Sequence, residues 1–221
     1  MSEILKRIIF GAIYVVIMWF GTSYSELTFN ILFLSLGLWS LYEMWKLRKG
    51  KRKIIAFLYV IIPFTLIQLI GLSNISNQQG SFNPSIVLLM FILTWTFDTF
   101  AFIVGVKFGK NKILPSISPK KSWEGFIGGL LFCLFAGFIS QYYFSSYFAN
   151  IHYLLIIIIS FILPFTATLG DFIESYYKRQ ANAKDSGSII PGHGGILDRI
   201  DSYIFTPSVL YYIFIILKYL N

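Results

Sequence analysis

Charged positions along this chain come in clusters, separated by long apolar runs. No Asp, Glu, Lys or Arg occurs from Ile54 to Phe97, or from Gly125 to Gly170. Each run is long enough for about two membrane crossings, because one apolar helix across the hydrocarbon core needs roughly 20 residues. The runs lack the alternating polarity of barrel strands, and a helix satisfies its own backbone groups in lipid. The pattern predicts an all-α, polytopic integral membrane protein of about seven transmembrane helices. They are Ile8 to Tyr24, Leu27 to Trp45, Ile54 to Leu72, Pro84 to Val106, Trp123 to Tyr143, Ile151 to Gly170 and Ile200 to Leu217. Lys6 and Arg7 precede the first run, as in a signal peptide. Phe20, Tyr24 and Glu26 offer no small-residue cleavage site, so the run is read as a retained span. The last span is the least regular, with Pro207 inside it and Asp201 near its start.

Composition agrees with this reading and excludes others. Only 13% of the 221 residues are charged, against about a quarter in soluble domains. A soluble enzyme, a secreted disulfide scaffold, a disordered chain and a nucleic-acid-binding domain are thereby excluded. The net charge of +8 sits in short loops. Lys6 and Arg7, then Lys46 to Lys53, then Lys107 to Lys121, then Lys178 to Lys184 fill every second link, whereas Ser73 to Asn83 and Phe144 to Asn150 carry no charge. The positive-inside rule places the N-terminus and all basic loops in the cytoplasm, across the cell's inner membrane. The cluster Lys46 to Lys53 reads as a topology signal only. Cys133 stands alone in an apolar stretch and suggests no disulfide or thiolate site. Residues 1–221 read as a single membrane-embedded domain, with 1–83 contributing spans without motifs and 84–221 bearing the motifs.

The remaining chemistry is concentrated. Of the 28 charged residues, seven lie between Asp98 and Glu124 and nine between Asp171 and Asp201. Acidic groups at or within spans are costly unless they meet a cation or line a polar cavity, which marks Asp98 as part of a cavity opening to the cytoplasm. On a helix continuing from the sixth span, Asp171, Glu174, Ser175 and Lys178 share one face, being three and four residues apart. Asp198 and Asp201 are likewise three apart. Two such carboxylate faces can converge on a hard divalent cation, and magnesium typically takes one or two carboxylates plus substrate phosphates. Gly192, Gly194 and Gly195 around His193 permit close backbone approach to phosphates. Carboxylates beside Lys and Arg are the parts that phosphoryl chemistry requires. Singly, each has a plainer reading: a tight loop, a solvated helix end, one more inside-positive pair. Gly128 and Gly129 read as a small-residue helix contact.

The spacing in full resembles the signature of the phosphatidate cytidylyltransferases, or CDP-diacylglycerol synthases. It runs Ser175, Lys178-Arg179, Lys184-Asp185, Gly187, His193-Gly194-Gly195 and Asp198-Arg199-Ile200-Asp201, with Tyr177 where that family favours an apolar residue such as Phe. A second block is similar to the family's other motif: Asp98-Thr99-Phe100-Ala101-Phe102, Gly105, Phe108-Gly109-Lys110, then Ser118-Pro119-Lys120-Lys121-Ser122-Trp123-Glu124-Gly125. Phe100, Phe102 and Ser122 depart from the usual small residue, Tyr and Thr.

The resemblance implies an enzyme that transfers CMP from CTP to phosphatidic acid, giving CDP-diacylglycerol and pyrophosphate in phospholipid biosynthesis. It implies Mg2+, with a monovalent cation beside it, and a homodimer in the lipid bilayer; no nucleic acid is expected as a partner. Asp171 and Asp198 are the expected metal ligands, with Glu174 and Asp201 as outer or additional ones. Lys178, Arg179 and Arg199 are expected at the CTP phosphates, and Lys120 and Lys121 at CTP or the lipid phosphate. Ser118, Ser122 and His193 would orient them, and Asp98, Lys184, Asp185, Gly194 and Gly195 complete the substrate site. Two alternatives stand beside this: a cytidylyltransferase for another lipid phosphate, and a cation-coupled transporter. A transporter would more typically show inverted repeats and helices broken near the midplane, and no repeat is evident.

Overall fold

The computed structural model describes residues 3–72, 82–144, 147–148, 151–190 and 194–220. Helices dominate: α1 (Glu3–Ser23), α2 (Glu26–Leu47), α3 (Ile54–Leu72), α4 (Ser85–Phe108), α5 (Trp123–Tyr143), α6 (Tyr153–Gln180), α7 (Leu197–Ile204) and α8 (Thr206–Leu220). Five of them, α2 to α6, are long and apolar enough to cross a membrane. The apolar part of α1 is shorter, Ile8–Ser23.

Two expectations are corrected. The protein is not wholly helical, because β1 (Lys112–Leu114) and β2 (Ser118–Ser122) pair antiparallel between α4 and α5. The seventh expected span, Ile200 to Leu217, is two helices, α7 of 8 residues and α8 of 15. Pro207 has no N–H to donate to the preceding turn and its ring crowds it, so the helix breaks beside it. At 1.5 Å per residue, α8 extends about 22 Å, short of a hydrocarbon core of about 30 Å.

The core is built from facing apolar stripes. Phe29 and Phe33 of α2, Ile67 and Ile70 of α3, Leu88 to Met90 of α4 and Ile159 and Leu163 of α6 are all buried. On α5 the outward residues Leu131, Phe135 and Phe138 stay exposed, as a lipid-facing surface requires. α4 and α5 approach closely because glycines line the seam. A Cβ on Gly129 would lie 2.7 Å from the Phe97 ring, and one on Gly128 2.7 Å from Val104; the expected small-residue contact is present. Phe100 stacks on Phe132 across the same seam, with ring centroids 3.6 Å apart.

α6 runs 28 residues, about 42 Å at 1.5 Å per residue, and outlasts the bilayer core. Its expected extension past Gly170 is real, and residues 171–180 carry the first carboxylate face. α7 crosses α6 at Gly170, where a Cβ would collide with the Asp201 carbonyl oxygen. The basic link between α2 and α3, expected only as a topology signal, also makes specific contacts. Arg48 donates to the side chain of Gln180, and Lys51 to its carbonyl, tying that link to the end of α6.

Candidate active site

The end of α4, the β1–β2 hairpin, the extension of α6 and the start of α7 meet around one cavity of about 560 Å³. Asp98, Ser118, Lys120, Lys121, Ser122, Asp171, Asp201 and Ser202 are among its lining residues. The two sequence blocks, some 70 positions apart, thus form one site.

The hairpin is held by the helix it precedes. Ser122 caps α5, its Oγ accepting the Gly125 N–H at 3.2 Å. Glu124 accepts from the Lys110 N–H at 3.1 Å and from Asn111 Nδ2 at 2.7 Å, and the Trp123 N–H donates to the Asn111 carbonyl at 2.9 Å. A Cβ on Gly125 would lie 2.6 Å from the Ala101 carbonyl, so this start of α5 can rest on α4 only as glycine. These contacts aim Lys121 at α6, where it forms an ion pair with Asp171. The Ser175 hydroxyl donates to the other Asp171 oxygen at 3.3 Å, so the expected shared face exists.

Lys178 lies one turn further, between two acids. It pairs with Glu174 and, at 2.7 Å, with Asp198 Oδ1. Asp198 Oδ2 accepts from the Ser186 N–H at 2.8 Å, the Ser186 hydroxyl at 3.0 Å and the Gly195 N–H at 2.8 Å. Burial alone would raise the Asp198 pKa; donation from Lys178 and the Gly195 N–H outweighs it and holds the group below the usual carboxylate range. Gly194 has φ of +82°, and a Cβ there would lie 2.6 Å from Asp198 Oδ2. Asp198 therefore faces the glycine loop, while Asp171 and Asp201 face the cavity. Asp201 is pushed well above the usual carboxylate range, first by its enclosed position and then by Asp171 and Asp98 opposite it.

Sequence reasoning missed a residue from the supposedly motif-free spans. Glu43 of α2 is buried and spends both oxygens on this region. Oε1 accepts from Trp39 Nε1 at 3.1 Å and the Ile196 N–H at 3.0 Å. Oε2 accepts from the Leu197 N–H and the Ser186 hydroxyl, both at 2.8 Å. The only signal was a lone acid inside an apolar span, which is costly without such partners. Tyr14 of α1 donates to the Arg199 carbonyl at 3.2 Å, and Tyr59 of α3 to the Gly170 carbonyl at 2.9 Å.

The other expected residues lie around this centre. Arg179 is exposed and donates to the Ala183 carbonyl at 3.1 Å, closing the turn after α6. Lys184, Asp185 and the Arg199 side chain are exposed. His193 and Gly192 lie outside the described residues. Tyr177 is buried, with the Arg48 guanidinium 5.3 Å from its ring centre.

Among the described residues no three His, Cys, Asp or Glu side chains converge tightly enough to hold a metal by themselves. Magnesium does not need that, since it completes its shell with phosphates and water. The donors present fit such an ion: hard carboxylate oxygens, three of which (Asp98, Asp171 and Asp201) line one cavity and repel one another.

A helical membrane protein with paired cations and carboxylates around an open cavity at one end is built to handle a polyanion. The chain belongs to the Cytidylyltransferase family, whose sequence model matches residues 57–217. It is 36% identical over 217 residues to a phosphatidate cytidylyltransferase of Rickettsia bellii, covering 96% of this chain and 91% of the relative. With the Rickettsia typhi protein of that name the identity is 39% over 215 residues, covering 95% and 89%. The Staphylococcus aureus phosphatidate cytidylyltransferase matches at 44% over 124 residues, covering 56% and 46%.

Proposed function

We propose that this enzyme transfers CMP from CTP to phosphatidic acid, releasing pyrophosphate and leaving CDP-diacylglycerol in the membrane. The observation that carries this reading is the joining of both sequence blocks around one cavity, which Lys120, Lys121, Asp171 and Asp201 all line. A phosphate oxygen of the lipid attacks the α-phosphorus of CTP. The new P–O bond forms as the bond to the β-phosphate's bridging oxygen breaks, and pyrophosphate takes the electron pair. The attacking phosphate is already an anion, so no strong general base is needed, and His193 has no required acid role. Positioning and charge neutralisation are the demands.

This chain's residues divide that work. Lys121, held by Asp171, and Lys120 receive phosphate at the hairpin. Arg179, Arg199 and Lys184, all exposed, are the further cations for the nucleotide's phosphates. Gly194 and Gly195 let backbone approach them. Asp171, Asp201 and Asp198 are the residues that would hold Mg2+, with Glu174 behind them; Asp198 would first have to share Oδ1, now bonded to Lys178. When bound, the ion neutralises phosphate oxygens. Basic loops at this end support a cytoplasmic site in the inner membrane, where CTP is available.

Purified protein incubated with CTP, phosphatidic acid and magnesium should release pyrophosphate in proportion to the lipid. No release from folded protein, or undiminished release from Asp198→Ala, would sink the assignment. For orientation, a cysteine at Lys51 should react with an impermeant maleimide only from the cytoplasmic side.

A further inference from the structure

An apolar groove of about 220 Å³ runs between the N-terminal half of α5 and the C-terminal half of α6. Its walls are Ile113, Phe126, Phe165, Thr168, Leu169 and Phe172. It adjoins the charged cavity, because Ile113, Phe126 and Thr168 line both. Lys121 stands at the junction, paired with Asp171 on the cavity side and with its Nζ 5.6 Å from the Phe172 ring centre on the groove side. Edge-on aromatic contacts shape the wall, with Trp123 to Phe126 at 6.0 Å and Phe126 to Phe165 at 5.0 Å. Phe165 and Leu169 remain exposed at 48% and 44%, so this wall is open to lipid.

We infer that this groove seats an acyl chain of the lipid substrate while its phosphate meets Lys121. The inference rests on the functional reading above and adds where the lipid binds. A molecule with an anionic head and an apolar tail matches the order of surfaces: cation at the junction, aromatic trough below it. From Phe172 to Phe165 the trough follows about two turns of α6, on the order of 10 Å. A chain lying there enters sideways from the inner leaflet and leaves the cavity mouth open to nucleotide.

Leu169→Trp fills the trough at an exposed position. Losing the burial of about two methylenes is worth roughly tenfold in binding. The variant should raise KM for dioleoyl phosphatidic acid about that much, leave KM for CTP unchanged, and spare the dioctanoyl lipid more. Leu131→Trp, on the far face of α5, should change neither. A phosphatidic acid with a diazirine in its acyl chain should label the peptide spanning Phe165 to Phe172. Excess dioleoyl phosphatidic acid should compete and phosphatidylcholine should not. Equal competition by phosphatidylcholine would mark ordinary bilayer lipid and overturn the proposal. So would an unchanged lipid KM in an active Leu169→Trp enzyme, or efficient disulfide-linked dimers of Leu169→Cys, which would show a second copy covering the groove. Failure of the functional reading is separate: wild type would then release no pyrophosphate with any phosphatidic acid, whatever the labelling shows.

Discussion

Glu43 of α2 accepts the backbone N–H of Leu197, 154 positions away, at 2.8 Å. With the Ile196 N–H on its other oxygen, it supplies acceptors to the N-terminal end of α7, where no side chain of that helix does so. Orphan amides at a helix start, and the positive end of its dipole, favour such a carboxylate. The Ser186 hydroxyl contacts both Glu43 and Asp198, so the position of Glu43 is transmitted to a site carboxylate. In Glu43→Gln one acceptor becomes a donor facing donors. Leaving such buried groups unsatisfied costs about 1–3 kcal/mol. The variant should melt earlier in detergent and lose activity, and Glu43→Asp should recover part of both. An unchanged melting curve and unchanged turnover in Glu43→Gln would remove this role.

Much of the site could be read from the chain, and the reason is physical. Charged groups near a bilayer need partners, so the dense clusters at 98–124 and 171–201 had to form a polar site. Helical spacing alone placed Asp171, Glu174, Ser175 and Lys178 together. What escaped is long-range and single. Tyr14, Glu43 and Tyr59 each send one polar atom from an apolar helix to the backbone or loops of the site, and one residue makes no pattern. The facing of Asp198 toward the glycine loop escaped for the same reason, since its donors come from Ser186, Gly195 and Lys178 rather than from any repeat. The break at Pro207 was visible as a residue, but its consequence, an α7 too short to span, depends on how α7 packs across Gly170.

The glycine loop should tolerate no side chain at 195. A Cβ there would lie 2.5 Å from Glu43 Oε2 and would also strike the Ser186 hydroxyl; at 187 it would lie 2.5 Å from Glu43 Oε1. Gly195→Ala and Gly187→Ala should each lower pyrophosphate release sharply. Gly50 provides the contrast. Its φ is +75°, yet nothing lies within 4 Å of its Cβ position, so Gly50→Ala should cost only the left-handed backbone penalty of about 1–2 kcal/mol. Activity assays and melts on the three variants check this, and equal activity in all of them would contradict it.

Activity and stability should separate at Asp201. It faces Asp98 and Asp171 across the cavity, and their like charges oppose one another. Asp201→Asn relieves that repulsion while removing a proposed ligand oxygen, so the protein should melt no earlier than wild type and yet lose on the order of 10²–10³ in turnover. Chelation should act similarly. EDTA should stop pyrophosphate release, magnesium should restore it, and the melting temperature should hold, because Lys121 and Lys178 already tie the acids together. A chelated protein that unfolds would show a structural metal instead.

Lys178 should be the most costly position to neutralise. Its ammonium lies between Glu174, fully buried, and Asp198, and among the described residues it is the ion-pair partner of the Glu174 carboxylate. Removing one partner of a buried pair typically costs 3–5 kcal/mol because the other charge is left unpaired, so Lys178→Met should unfold at markedly lower temperature. Replacing the pair together, Lys178→Met with Glu174→Leu, should recover much of that loss, since apolar groups of similar volume need no partner. Activity should stay low in both, because Asp198 Oδ1 has lost its donor in each. A double variant as unstable as the single one would show that Lys178 serves Asp198 and the glycine loop rather than Glu174.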